Sequence, residues 1–206
     1  MDRLIAYIDG FNLYFGMKDK GWRRYYWLNL QKLRKNLLKS NQKLITTKYF
    51  TARITDPPDK QKRQSAYIEA LSLLNDFEIF LGKYQLNKWE CASCHSLFDI
   101  PNEKMTDVNI AVELLTDAFQ DNFDVALVIS ADSDLVAPIK KTKELFPSKR
   151  IIIAFPPKRH SVTLAKAADA SFTIGRKKLA SSLFPQKIKK PDGYIIECPE
   201  RWLKKE

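Results

Sequence analysis

Leu4-Ile5-Ala6-Tyr7-Ile8-Asp9-Gly10-Phe11-Asn12 is the stretch that decides the fold. Its first five residues are all apolar. They lack the two-residue alternation of a half-exposed strand, so they read as a strand covered on both faces. Asp9 ends the run, and Gly10 lets the chain turn at once. Two further runs have the same character, Val125-Ala126-Leu127-Val128-Ile129-Ser130 and Ile151-Ile152-Ile153-Ala154-Phe155. Residues 46–53, rich in β-branched and aromatic side chains, form another strand. Shorter strands are predicted over 77–83 and 171–174.

The segments between these strands carry helical spacing. Leu30, Leu33, Leu37 and Leu38 share a face within 27–38, and Ala66, Tyr67, Ala70, Leu71 and Leu74 share one within 60–76. The stripe Ile110, Ala111, Leu114, Leu115 and Ala118 predicts a helix over 107–119. Helices also follow over 135–145, where Pro138 falls in the first turn and is tolerated, and over 161–168. Strands alternating with helices imply an α/β domain with a mainly parallel sheet covered on both faces, spanning residues 1–184. Residues 88–104 hold Cys91, Cys94 and a proline with little periodicity, and read as an inserted loop. From residue 185 the chain is rich in Lys and Pro with few core residues. This basic C-terminal tail, 185–206, packs on the domain or extends from it.

In a parallel sheet all carboxyl ends lie on one edge, where ligands bind. Asp9 ends the first strand there. Asp132 and Asp134 follow the 125–130 strand, so acids far apart in sequence converge. Asp107 is reached independently: counting back three and four residues from Ile110 and Ala111 places it in line with the buried face of its helix. A buried carboxylate needs a partner. A metal cation serves, and so does the positive end of the helix dipole. The competing readings are ordinary ones: Asp134 as an N-cap, Asp107 as a dipole partner, Asp9 as the cap of a turn. Clustered carboxylates repel one another unless a cation binds, and Mg²⁺ or Mn²⁺ is the natural occupant. Such an ion activates water against a phosphodiester.

Composition agrees with an anionic partner. The net charge is +11, from 35 basic and 24 acidic residues, and residues 150–206 hold 13 of the former against 5 of the latter. Nucleic acid is the commonest partner of such a surface. No apolar run approaches the ~18–20 residues of a membrane span, and the first run is too short for a signal-peptide core. The expectation is a soluble cytoplasmic protein.

Three blocks, Tyr-Ile-Asp-Gly-Phe-Asn-Leu-Tyr from residue 7, Lys-Met-Thr-Asp-Val-Asn-Ile-Ala-Val-Glu-Leu-Leu from 104 and Ser-Ala-Asp-Ser-Asp-Leu from 130, occur in an order that resembles the NYN domain of the PIN-like nuclease group. The resemblance covers roughly residues 4–175. It implies a three-layer α/β/α fold and a metal-dependent endoribonuclease, with Asp9, Asp107, Asp132 and Asp134 as acidic positions supported by Asn12 and Ser130. Asp169 matches a later acidic position of the family and is read first as structural. A non-catalytic RNA- or nucleotide-binding regulator that kept the fold is the alternative function. The Asp132-x-Asp134 pair is also similar to the toprim acidic pair of enzymes acting on DNA, but the Asp9 motif fits that family poorly.

Two basic segments are candidates for RNA contact. Lys158, Arg159 and Ser161 follow the 151–155 strand and precede a helix, an arrangement suited to phosphate. Arg23 and Arg24 precede Tyr25, Tyr26 and Trp27, where rings and guanidiniums offer stacking surfaces for bases. The other reading of these is a solvated turn and a half-buried aromatic run. Cys91-x-x-Cys94-His95 leaves several readings open: half of a zinc site, completed by Cys198 and a histidine or by the same pair in a homodimer, two free cysteines, or redox activity.

Overall fold

The computed structural model describes residues 1–203, with side chains for all of these except 84–87 and 98–103 inside two strands. The last three residues of the basic tail, 204–206, lie outside the described residues. Elements run β1 (Asp2–Asp9), α1 (Gly10–Asp19), α2 (Leu30–Leu37), β2 (Gln42–Ala52), α3 (Pro58–Ser72), β3 (Phe77–Glu90) and β4 (Leu97–Lys104). They continue with α4 (Thr106–Phe119), β5 (Val125–Ile129), α5 (Val136–Leu145), β6 (Arg150–Phe155), α6 (Val162–Ala167), β7 (Ala170–Thr173) and α7 (Arg176–Ala180). A small hairpin of β8 (Lys187–Lys189) and β9 (Ile195–Glu197) leads to α8 (Glu200–Leu203).

The main sheet has the order β4-β3-β2-β1-β5-β6-β7. All neighbouring pairs are parallel except β3 with β4. β1 is the central strand, and its apolar run divides between two cores. Leu4, Ala6 and Ile8 pack with Leu13 of α1, Leu30 and Leu33 of α2, and Leu71 of α3. Ile5 and Tyr7 pack with Ile110 and Leu114 of α4, Ile139 of α5 and Leu164 of α6. Burial on both faces is what removes the alternation from β1, and it produces the three-layer α/β/α architecture.

Three features depart from the sequence reading. Residues 88–104 are not a loop. β3 runs on from Phe77 to Glu90 and β4 returns antiparallel beside it, Lys83 opposite Lys104 and Glu90 opposite Leu97. Among its described side chains, residues 88–97 are exposed except the half-buried Cys91, and such exposure imposes no apolar pattern that would mark a strand. Helix α1 has no counterpart in the sequence reading, because Gly10 and Gly16 interrupt its pattern and only Gly10, Leu13, Gly16 and Met17 are buried in it. The tail contributes more to the core than its composition predicts. Ile196, Cys198 and Trp202 join the first core, and the Trp202 ring lies 5.9 Å from Tyr26, 6.2 Å from Trp27 and 6.1 Å from Tyr67.

Candidate active site at the carboxyl edge

Asp9 is both the last residue of β1 and the N-cap of α1. One carboxylate oxygen, Oδ1, accepts from the Asn12 backbone N–H at 2.9 Å, and Oδ2 accepts from the Ser130 hydroxyl at 2.8 Å. Ser130 directly follows β5, the strand parallel to β1. Its Oγ in turn accepts the Asp132 N–H at 3.0 Å, and Asp132 Oδ1 accepts the Asp134 N–H at 3.0 Å. A continuous hydrogen-bonded chain thus ties the ends of the two central strands together. Asp9 is only 3% exposed. Burial pushes its carboxyl up to about 6; hydrogen bonds from Asn12 and Ser130 oppose the shift and the nearby Asp132 charge adds to it.

The capping roles are distributed differently from the sequence reading. Asp132, not Asp134, caps the short 3-10 turn Ser133–Leu135. Asp134 lies inside that turn and is exposed. Gly10 continues straight into α1, so a sharp turn is not what it provides. A Cβ there would meet the Tyr49 ring and hydroxyl at 2.6–2.7 Å. The missing side chain therefore makes room for a buried tyrosine beneath the site. Burial in turn pushes the Tyr49 phenol up to about 12.

Asp107 sits in the first turn of α4. That helix begins at the same edge, since β4 ends at Lys104 opposite Lys83, next to the Gly82–Ala52 pairing that closes β2. Asp107 is half-buried, on the flank of the inward stripe that Ile110 and Leu114 lead. The edge therefore carries all four acids, with Asp9 and Asp132 joined through one hydroxyl. Among the described residues no three His, Cys, Asp or Glu side chains are already arranged as a finished metal cage. The donor chemistry nevertheless fits a hard divalent cation: a buried carboxylate that resists ionisation beside a second, more exposed one.

Asp169 is elsewhere. It precedes β7 at the amino edge of the sheet, where it accepts the Ile151 N–H at 2.8 Å and pairs with Lys143 at 2.7 Å. It is a strand-end anchor, which corrects any supporting role at the acids.

The two basic candidates are unequal. Arg159 pairs with Asp19 at 2.7 Å, and its guanidinium lies 6.0 Å from the Phe15 ring centre, so it fastens the loop to α1. Gly16 permits this approach, since a Cβ there would meet the Pro157 carbonyl at 2.7 Å. Lys158 is exposed, with a left-handed φ of 58°. Ser161 caps α6 by accepting the Leu164 N–H at 3.3 Å. Tyr25, Tyr26 and Trp27, by contrast, are core residues exposed by 9% or less, so their faces are closed to bases. Beside them Arg24 donates to the Tyr25 hydroxyl at 2.8 Å, and Arg23 and Arg24 stand in a 3-10 turn against this core.

One buried polar group escaped the sequence reading. Lys48 reaches Glu113 and Asp117, each at 2.7 Å, and Tyr7 donates to Asp117 at 2.6 Å. The signal was present, because Asp117 lies three residues after Leu114 and seven after Ile110, on the inward face of α4. The network borders a groove of about 330 Å³ lined also by Ile45, Thr46 and Glu78. That groove lies toward the amino half of the sheet, and its two α4 acids both pair with Lys48, so it is not the acidic edge.

Cys91 and Cys94 lie in the turn that joins β3 to β4, half-buried and exposed respectively. The Ser96 hydroxyl lies 3.3 Å from Cys94 Sγ, and hydrogen bonds from Ser96 to the thiolate hold this thiol below the ordinary range. Cys198 is buried in the first core, where burial pushes it up to about 11, so it does not complete a site with the pair.

The NYN domain model matches residues 3–176. The chain belongs to the NYN domain family. The match contains β1, the Ser130–Asp134 segment and the first turn of α4, and so every acid placed at the carboxyl edge. Outside the family model, this NYN domain is 29% identical over 190 residues to 6-hydroxy-3-succinoylpyridine 3-monooxygenase HspA of Pseudomonas putida. That match covers 75% of this chain but only 59% of the relative's length. A protein of unknown function from Vibrio parahaemolyticus, VPA0982, has a similar solved structure at 16% identity, with a TM-score of 0.56 over 89% of this chain and 96% of that one. At that identity it speaks for the fold alone. Among the described residues no helix is long and apolar enough to cross a membrane.

Proposed function

We propose that this NYN domain is a metal-dependent endoribonuclease whose divalent ion, Mg²⁺ or Mn²⁺, is held by Asp9 and Asp132 with Asp107 and Asp134 completing the acidic edge. The observation that carries the reading is the hydrogen-bonded chain from Asp9 through Ser130 to Asp132. It ties the Asp9 carboxylate to the Asp132 backbone N–H at the carboxyl ends of adjacent parallel strands, where sheets of this class bind ligands, while the Asp132 carboxylate caps the turn that follows. An isolated buried carboxylate beside another acid is costly, and a cation removes that cost. When bound, a divalent ion supplies an activated water and charge stabilisation at the leaving oxygen.

The residues divide the remaining work. Ser130 holds the Asp9 carboxylate and the Asp132 backbone. Asn12 orients Asp9 through its backbone N–H, and its side-chain amide also favours the charged form. Asp134, exposed one turn away, stands where it can orient water or serve a further ion. Lys158 offers a cation to the RNA backbone beyond the end of β6. RNA is preferred as substrate on the basic surface and on family membership.

Incubation of single-stranded and structured RNA with the protein and Mn²⁺, beside Asp132→Asn, tests the reading. Cleavage by the native chain and its loss in the variant are expected. Cleavage that persists in the variant assigns the activity to another site. RNA binding without cleavage in either protein favours a non-catalytic regulator. The monooxygenase name belongs to the HspA relative, and hydroxylation of an aromatic substrate by this chain, with no RNA cleavage, would replace the nuclease reading.

A further inference from the structure

Helix α1 presents two unlike faces. Its inner face, Gly10, Leu13, Gly16 and Met17, is buried. Its outer face carries Phe11, Tyr14, Phe15 and Lys18, whose spacing of three, four and seven residues aligns them along one side of the helix. Tyr14 and Phe15 are 37% and 38% exposed, Phe11 is half-buried, and none of the three rings belongs to either core. The rings are ordered among themselves. Phe11 stacks on Phe15 with centres 6.3 Å apart, and Tyr14 meets Phe15 edge-on at 5.3 Å while resting on the buried Tyr26 at 4.8 Å. Adjoining exposed rings of this kind mark a contact surface.

The surroundings of the patch say what it contacts. Lys18 Nζ lies 5.4 Å from the Phe15 ring centre, and the Arg159 guanidinium lies 6.0 Å from it. The close approach at Gly16 lays the 156–159 loop against the helix and so brings the exposed Lys158 beside it. The positive charges of Arg63, Arg201 and Arg23 also act on the Tyr14 phenol. Asp19 pairs with Arg159, and Asp59 with Arg63 and Arg201, which leaves the rim with a surplus of positive charge. The stripe begins at the acidic edge, since Phe11 follows Asp9 by two residues in the first turn of α1.

We propose that the Phe11–Phe15 face of α1 is a stacking platform for unpaired bases of RNA beside the acidic edge, with Lys18 and Lys158 taking the adjoining phosphates. Rings bordered by cations match the two parts of a nucleotide, a base face for the ring and a phosphate for the charge. A duplex keeps its base faces inside its own stack, so the platform selects single strands. It tolerates any sequence, because every base has a π face. Stacking is thereby moved from Tyr25, Tyr26 and Trp27, whose faces are closed, to rings that solvent reaches. The proposal rests on RNA as the substrate of the acidic edge, but it is read by binding without metal.

The test measures affinity for a short labelled single-stranded RNA, and for the same RNA annealed to its complement, in a chelator and across a salt series. The native chain should prefer the single strand. Phe11→Leu and Phe15→Leu should each weaken single-strand binding about tenfold, with little effect on the duplex, an unchanged salt slope and near-native melting. Phe15→Trp, which keeps a ring, should bind like the native chain. Phe119→Leu is the control, a ring 79% exposed at the far end of α4, and should change nothing. Cleavage with Mn²⁺ is scored separately. Ring-dependent binding by a native chain that cuts no RNA would keep the platform and remove the nuclease. Leucine variants that bind and cleave like a native chain that cuts RNA would remove the platform and keep the nuclease. The platform is also overturned by no RNA binding, by equal losses on duplex and single strand, by an equal loss in Phe119→Leu, or by a native dimer that the leucine variants dissolve, which would give this face to a second copy.

Discussion

The Ser130 hydroxyl donates to Asp9 Oδ2 at 2.8 Å while accepting the Asp132 N–H at 3.0 Å. One side chain thus sets the spacing between two strand ends. Ser130→Ala should leave Asp9 with one unpaired oxygen in a buried place, at a cost of about 1–3 kcal/mol. It should also weaken Mn²⁺ binding, measured by calorimetry. Ser130→Thr, which keeps the hydroxyl, should recover part of both.

Asp9 gives a pH signature. Its folded carboxyl titrates at about 6 because of burial, against about 3.9 in an unfolded chain. The folded state therefore holds the proton more tightly. Its stabilising contribution is fully present below about pH 4 and is lost as pH rises through 6. Asp9→Asn removes this dependence. Relative to native protein, the variant should gain stability between about pH 4.5 and about pH 7.5 by up to about 3 kcal/mol, since each tenfold change in proton affinity is worth ~1.4 kcal/mol. Urea denaturation at the two pH values measures it, and parallel curves for the two proteins would refute the assignment.

Lys48 is the shared partner of two partly or fully buried acids on α4, Glu113 and Asp117. Lys48→Met should destabilise the fold by about 3–5 kcal/mol, because it leaves charge without a partner. The double variant Lys48→Met with Asp117→Leu should recover a large part of that loss. Thermal and urea unfolding of the single and double variants give the comparison.

Lys158 and Arg159 should separate on substitution, although they are neighbours. Lys158→Ala should weaken RNA binding and lower the salt slope by about 1, the value for one lost phosphate contact. Arg159→Ala should act mainly on stability, by freeing the loop from Asp19 and Phe15. Filter binding across a salt series, beside melting curves, distinguishes the two.

What the sequence disclosed follows from which patterns burial leaves behind. The runs at 4–8, 125–129 and 151–155 are legible because both faces are covered. The acids at their ends are legible because parallel strands share an edge. The β3–β4 arm was not legible, since its described outer part, residues 88–97, is exposed apart from Cys91 and exposure imposes no period. Helix α1 was hidden by glycines whose cause is tertiary: Tyr49 fills the space at Gly10, and the 156–157 loop fills that at Gly16. Asp169, read first as structural, is a strand-end anchor at the amino edge, although sequence order alone does not show which end of the sheet it occupies. Arg23 and Arg24 misled because the aromatics beside them turn inward. Asp107 stands between these cases, since its helical phase placed it near the core face but could not measure its distance from Asp9.

The most direct test of the acidic edge is a crystal soaked in Mn²⁺ and recorded at the manganese absorption edge. An anomalous peak is expected at the carboxyl ends of β1 and β5, with oxygens of Asp9 and Asp132 at roughly 2.0–2.3 Å. The peak should disappear in Asp132→Asn. Saturating Mn²⁺ with no ion on either carboxylate, or an ion held elsewhere while RNA is still cleaved, would contradict a metal site at this edge.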